Sequence, residues 1–432
     1  MDLEKEELRK ENKELKEKLN WALEKIKELE SRVSQLEKEK IPSFVKEDIN
    51  HRHKKTGQKE GHEGYTRYIP ERVDFVKKVA IKKCPFCEGK LSKVQEIRER
   101  YVEDIPETRT IITKYQIERR YCKNCKKIVE AEINDALPNA RLGLKLMLLI
   151  AFLKLGLRMP SLKIKELMQI QYSLEISDGE IYKILAQLSG ALGPYYKELT
   201  KKIREAAVKH VDETGWPIDG KNCWLWIFIN KEIALYVVRK QRNSAAPISI
   251  LGKQDDKVVT SDRFFAYTKL ARKTRCKLQI CWAHILRDSE DLAEYCDEAK
   301  YVHRRLKSIY KKAVKLEHKA TNEEIKKLLH QIDLIAARRY RSTKVYKFVK
   351  SICKAHRENL FRFVNNSEIE STNNRAERGL RHAVVIRKIS NGSRSKKGAE
   401  ITSKLLSVIE TLKLQNQNPV TGMMNLLQNT KL

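Results

Sequence analysis

The sequence predicts a multidomain α/β chain, and three observations carry that prediction. A heptad segment free of Gly and Pro opens the chain, two C-x-x-C pairs follow it, and beyond Ala206 short apolar strands replace helical periodicity. A length of 432 residues exceeds a single core and implies roughly two to four structural units. Apolar residues make up 41%, enough to bury a real interior. The formal net charge is +32, an excess that concentrates polyanions and releases counterions from nucleic-acid phosphates. The most apolar run, Leu142 to Leu157, contains Lys145 and Lys154 and falls short of the ~20 residues of a bilayer span. Met1-Asp2-Leu3-Glu4-Lys5 begins a charged helix and not a secretory signal. The expectation is a chain outside the membrane, in the cytoplasm with the nucleoid, its nine cysteines mostly reduced.

Residues 1–40 place Leu8, Leu15, Ala22, Leu29 and Leu36 on one seam and Asn12, Leu19, Ile26 and Val33 on its companion. A sustained 3.5-residue repeat specifies a left-handed coiled coil, and Asn12 is a buried polar residue of the kind that sets register. Self-association, as a dimer, is expected; a single charged helix lying on the protein is the alternative. Ile41-Pro42-Ser43 ends the helix. Residues 41–80 then form a basic linker that includes His51, Arg52, Lys54, Lys55 and Lys59.

In residues 81–130, Cys84-Pro85-Phe86-Cys87 and Cys122-Lys123-Asn124-Cys125 offer four thiolates in two tight knuckles. That spacing suits a closed, tetrahedral, structural zinc site, and Thr110 to Ile117 between the knuckles has the pattern of a strand. Residues 139–205 are helical. Leu162 to Ile170 is one amphipathic helix, Tyr172 to Ile176 a turn, and Ser177-Asp178-Gly179-Glu180 a capping-box start for the next. A helix-turn-helix reading DNA and a helical hairpin packed on the following domain both satisfy this pattern.

Residues 206–296 change period. Ala207 to Asp212 is an apolar strand ending in a carboxylate, Asn222 to Ile229 a second strand and Ile233 to Val238 a third. A helical patch with Ile248 and Leu251 precedes Lys257 to Asp262, a fourth strand ending in a carboxylate. Three consecutive strands, a helix and a strand returning beside the first is the ribonuclease H-like order, which brings two strand-end Asp residues to one cleft. Hard divalent cations need oxygen ligands, and in-line phosphodiester chemistry uses two such ions about 3.5–4 Å apart. A third carboxylate is expected on a later helix. Glu377 meets that need within Ser371-Thr372-Asn373-Asn374-Arg375-Ala376-Glu377-Arg378-Gly379-Leu380-Arg381. Thr372 or an Asn caps the helix, and Arg375, Arg378 and Arg381 are placed to meet DNA phosphates.

The residues around each carboxylate carry a resemblance. Asp212-Glu213-Thr214-Gly215-Trp216 with Trp224-Leu225-Trp226 resembles the first acidic block of the insertion sequence 66 transposase family. Ser261 to Tyr267 with Cys281-Trp282-Ala283-His284-Ile285-Leu286-Arg287-Asp288 resembles its second block. Thr372 to Arg378 and Arg387-Lys388-Ile389-Ser390-Asn391-Gly392-Ser393-Arg394-Ser395 resemble its third, and the zipper and paired C-x-x-C modules precede them in the family's order. The resemblance spans nearly the whole chain. It implies a DDE transposase with catalytic Asp212, Asp262 and Glu377, two Mg²⁺ or Mn²⁺ ions per site, and DNA contacts that include Arg387, Lys388 and Arg394. Partners would be the double-stranded element ends and target. A nuclease or resolvase that cuts without joining, and a non-catalytic DNA-binding regulator derived from a transposase, are the alternatives.

The stretch between Asp262 and Glu377 is longer than the core fold requires. Residues 297–365, with Tyr301, Leu306, Tyr310 and Val314 and then Ile325, Leu328, Leu329 and Ile332 at helical spacing, form a helical insertion. Either it covers the site and holds DNA or it only packs. Residues 366–418 complete the core and 419–432 form a tail. Cys281 and His284 order the strand-to-helix junction near Asp262; two ligands alone do not make a zinc site. Trp216, Trp224, Trp226 and Trp282 are core aromatics, with base stacking a second role for Trp216.

Overall fold

Hydrogen-bond bookkeeping dictates where the strands of this chain lie. A computed structural model describes residues 19–20, 23–26, 29 and 68–429, which divide into two units, Met1–Ile105 and Pro106–Leu432. In the first unit residues 19–20, 23–26 and 29 are helical; the rest of the expected coiled coil and most of the basic linker lie outside the described residues. Residues 68–105 carry no helix or strand. The first knuckle is a turn in which Glu88 N–H donates to the Cys84 carbonyl at 2.9 Å and Cys84 N–H to the Gly89 carbonyl at 3.1 Å.

The second unit begins with a hairpin, β1 (Arg119–Cys122) and β2 (Lys127–Glu130), whose turn carries Cys122 and Cys125. The strand expected over Thr110–Ile117 does not form. That segment has no ladder partner; Thr110 instead donates its hydroxyl to the Tyr172 carbonyl at 2.7 Å.

Four helices follow: α1 (Leu144–Ala151), α2 (Ser161–Tyr172), α3 (Asp178–Ala191) and α4 (Gly193–Glu205). Ser173 ends α2 in the left-handed region at φ 49°. The expected capping box opens α3, since Ser177 Oγ accepts from Glu180 N–H and Glu180 returns a bond to Ser177 N–H. Such reciprocal capping satisfies two orphan donors of the first turn.

The sheet comes next: β3 (Val208–Gly215), β4 (Trp224–Ile229) and β5 (Ala234–Arg239), then α5 (Ala245–Leu251), β6 (Val258–Ser261), α6 (Phe265–Thr274) and β7 (Lys277–Ile280). Their spatial order is β5-β4-β3-β6-β7, with the first three antiparallel and β3, β6 and β7 parallel. As expected from the sequence, three consecutive strands are followed by a helix and a strand that returns beside the first. Other strand ends differ from expectation by one or two residues, but β3 does not stop at Asp212 and runs on to Gly215, because β4 supplies ladder partners for Asp212 through Gly215.

Beyond β7 come α7 (Trp282–Ala293), α8 (Asp297–Val314), α9 (Asn322–Ala337) and α10 (Thr343–Val349), then α11 (Asn374–Ser390), α12 (Lys396–Leu414) and α13 (Pro419–Asn429). Alternation along the central strands splits the interior in two. Trp226, Phe228, Leu235 and Val237 face one core, shared with α6 and the insertion residues Leu306, Leu328 and Ile332. Leu225, Ile227, Ile229 and Tyr236 face the other, shared with α11, α12 and the helices at 144–191. The helical region before the sheet is therefore part of the same interior. So is the stretch expected to be a tail: α13 buries Met423 and Leu427. Val314, expected on the apolar stripe of the insertion, is 47% exposed.

Candidate active site

Register places the first two carboxylates. Parallel pairing joins Val208 to Val258, Lys209 to Val259 and His210 to Thr260; the same register carried two residues further brings Asp262 level with Asp212. Asp212 lies opposite Ile227 in the antiparallel ladder, so it shares the face on which α11 packs through Ala376 and Leu380. Its Oδ1 accepts from Glu213 N–H at 2.9 Å. Burial pushes the Asp212 carboxyl up to about 8, and the charges of Glu213, Asp262 and Glu377 push the same way. Asp262 follows the last residue of β6, and its Oδ1 accepts from Phe264 N–H at 2.9 Å, which folds the chain into α6.

Glu377 sits in the first turn of α11. Its Oε1 is buried without a hydrogen-bond partner, as is Nδ1 of His284, and the two atoms are 3.6 Å apart. Among the described residues no Lys or Arg pairs with Asp212, Asp262 or Glu377. Converging carboxylates without an internal cation, one retaining an unsatisfied buried oxygen, are a donor set suited to hard divalent ions.

Asn373, fully buried, ties this arrangement together in a role other than the side-chain cap that the sequence offered for Thr372 or an Asn. It is the N-cap residue of α11 but makes no side-chain cap. Its Nδ2 instead donates to the Val211 carbonyl at 3.0 Å, its Oδ1 faces His210 Nδ1 at 3.2 Å, and its backbone N–H donates to Cys281 Sγ at 3.1 Å. The side chain thus links α11 to β3, and the backbone N–H of the same residue links α11 to the start of α7. Burial holds His210 down to about 4, so at neutral pH it is uncharged.

Gly379 sets the height of α11 above the sheet: a Cβ there would lie 2.4 Å from Ile227 Cδ1. Further along, Arg387 donates to Thr214 Oγ1 at 3.1 Å and to the Gly215 carbonyl, holding the end of β3. Gly392, at φ +94°, could carry no side chain, since its Cβ would lie 2.2 Å from the Pro217 carbonyl oxygen. Trp216 is 1% exposed and donates to Ser393 Oγ at 3.0 Å, which corrects the stacking role offered for it. Arg387 and Trp216 therefore dock the third sequence block onto the first.

Glu213 lies on the opposite face from Asp212. It is buried, bonded by Arg242 Nε at 2.8 Å and by the Tyr267 hydroxyl, and burial raises its carboxyl. Among the expected DNA-contacting residues, Arg375 is engaged with Glu370, at 2.9 Å from Nε, whereas Arg378, Arg381, Lys388 and Arg394 are exposed. Cys281 is fully buried at the N-cap of α7, where burial pushes its thiol up.

In both C-x-x-C knuckles the first thiol, Cys84 or Cys122, is held below its ordinary value by backbone N–H groups of its own turn. All nine cysteines are free thiols.

The family model described as Transposase IS66 family matches residues 140–401. The chain belongs to this family. The IS66-family match spans α1 through the first turns of α12, and so contains the sheet and all three acidic blocks. It leaves the two cysteine knuckles outside. No curated protein matches the chain. Among the described residues of this IS66-family protein, no helix is long and apolar enough to cross a membrane.

Proposed function

We propose that the chain is a DDE transposase that cleaves DNA and transfers the cleaved strand, with Asp212, Asp262 and Glu377 as its metal-holding triad. What supports this reading is the parallel β3–β6 register, which if continued past Thr260 would bring Asp262 level with Asp212, together with the position of Glu377 in the first turn of the helix that packs over the same face. Two Mg²⁺ or Mn²⁺ ions, when bound, would stabilise the attacking and leaving oxygens of an in-line displacement.

The chain's own residues do the remaining work. Asn373 and Gly379 fix the height and rotation of Glu377 relative to β3. Arg378, Arg381, Lys388 and Arg394 bind backbone phosphates of the element end and set its register. Water attacks a phosphodiester at that end, the bond to the 3′ oxygen breaks, and a 3′-hydroxyl is released. That hydroxyl then attacks a target phosphate, forming one phosphodiester while an equivalent one breaks.

The N-terminal coiled coil would pair protomers so that two ends are held together, and α2–α3 would read the terminal repeats. The four knuckle cysteines would hold one structural zinc, a stoichiometry that metal analysis of the wild type and Cys122→Ser checks directly. The deciding experiment for the whole reading is Mg²⁺- or Mn²⁺-dependent cleavage and joining of element-end DNA, wild type against Asp262→Asn. Equal activity in the two sinks it; cleavage without joining in the wild type supports a nuclease instead.

A further inference from the structure

The first turn of α7 brings together groups that the proposed magnesium chemistry does not use. Cys281 is its N-cap residue and His284 lies three positions on, a spacing that sets both side chains on one side of the turn. Cys281 Sγ, a ring nitrogen of His284 and a carboxylate oxygen of Glu377 all lie within 4.8 Å of one another. His284 Nδ1 and Glu377 Oε1 are buried, face each other at 3.6 Å and have no hydrogen-bond partner. That separation is too long for a hydrogen bond, and leaving two buried polar atoms unsatisfied is costly. Two atoms that each ligate one zinc-sized ion tetrahedrally stand roughly 3.4 Å apart, given bonds of about 2.0–2.1 Å. The observed gap is close to that value.

We propose that Cys281, His284 and Glu377 form a second cation site, selective for a borderline divalent transition ion of the zinc class. Sulfur and imidazole donors select against Mg²⁺, which takes oxygen ligands. Burial opposes the charge that the sulfur must carry, and backbone N–H groups offset part of that cost: Asn373 donates to it at 3.1 Å, and those of Ala283 and His284 also face it. Binding releases the thiol proton to solvent. Three protein ligands leave a fourth position open, as in exchangeable and not purely structural zinc sites. Glu377 belongs to both sites, so an ion here competes for the carboxylate that the triad needs. The inference concerns binding alone and does not depend on the transposase reading.

The test is Co²⁺ titration of the chain as purified, with whatever zinc it retains, followed by absorption and native mass spectrometry without DNA. The wild type should take one further ion per chain with a thiolate-to-cobalt charge-transfer band that excess Mg²⁺ does not remove. Cys281→Ser should lose the band, and both Cys281→Ser and His284→Gln should weaken binding at least about tenfold. Circular dichroism and thermal unfolding confirm that each variant is folded. No further ion on the wild type overturns the proposal without recourse to any variant. A band and affinity unchanged in both folded variants overturn it equally. Because no DNA is present, either result is separable from the outcome of the Asp262→Asn cleavage assay.

Discussion

Asp212, inside β3, and Asp262, just past the end of β6, come from neighbouring parallel strands paired as far as His210 and Thr260, close enough for the Asp262 charge to act on Asp212. Burial and neighbouring negative charge together raise Asp212, and a bound divalent cation would offset both. Added Mg²⁺ or Mn²⁺ should therefore raise the thermal midpoint of the wild type in a concentration-dependent way, following the mass-action gain of a ligand that binds only the folded state. Asp212→Asn should be at least as stable as wild type without metal and should lose most of the metal-induced rise. Differential scanning fluorimetry across a metal series decides this; an equal rise in both proteins contradicts it.

Asn373 ties the start of α11 to β3 through its buried side-chain amide. Asn373→Ala removes the side-chain donor to the Val211 carbonyl and the partner of His210 Nδ1, at a cost of about 1–3 kcal/mol. Because the loss frees the start of α11, cleavage activity should fall further than stability alone explains. Denaturant unfolding and single-turnover cleavage at saturating protein, measured on the same preparations, separate the two effects.

Gly379 is needed for close approach and not for a special backbone angle. In Gly379→Ala the new methyl meets Ile227 Cδ1 at 2.4 Å and Ile229 Cδ1 at 3.2 Å. Overpacking of this kind costs about 1–3 kcal/mol. Ile227→Val removes the clashing methyl, so the double variant should recover stability relative to Gly379→Ala. Additive losses in the double-mutant cycle would refute a direct clash.

Lys209 supplies the pH dependence. It is fully buried in β3, bonded to Gln254 Oε1 and to the Arg204 carbonyl at 3.1 Å, and burial lowers it to about 7 from an ordinary 10.5. Between those values the unfolded chain binds the proton and the folded chain does not, so stability rises with pH across that window. The contribution is lost as pH falls through the folded value. The slope from this group is at most about 1.4 kcal/mol per pH unit. Lys209→Met should flatten the difference in unfolding free energy between pH 7 and pH 10; a wild-type slope retained in the variant would count against this assignment.

Local patterning was enough for much of this protein. The continuous apolar run from Trp224 to Ile229, the Ser177–Glu180 capping box and the sequence of three strands, helix and strand are short-range signals, and each formed the expected element. The same logic failed where pairing was non-local. Thr110–Ile117 has strand composition but no neighbouring strand, and β3 passes Asp212 because β4 pairs with it that far. Pro419–Asn429 looked like a tail because its apolar stripe has meaning only against the core that receives Met423 and Leu427.

The sequence by itself determined the element order, the family resemblance, and the three carboxylates with their residue contexts, since these depend on composition and periodicity along the chain. Only the tertiary structure decided that the carboxylates share one sheet face. It also decided that Asn373 and not Thr372 links α11 to β3, that Arg375 answers Glu370, and that Cys281 and His284 meet Glu377. The physical reason is range: strand register and helix height over a sheet follow from side-chain packing between residues far apart in sequence, as with Gly379 above Ile227.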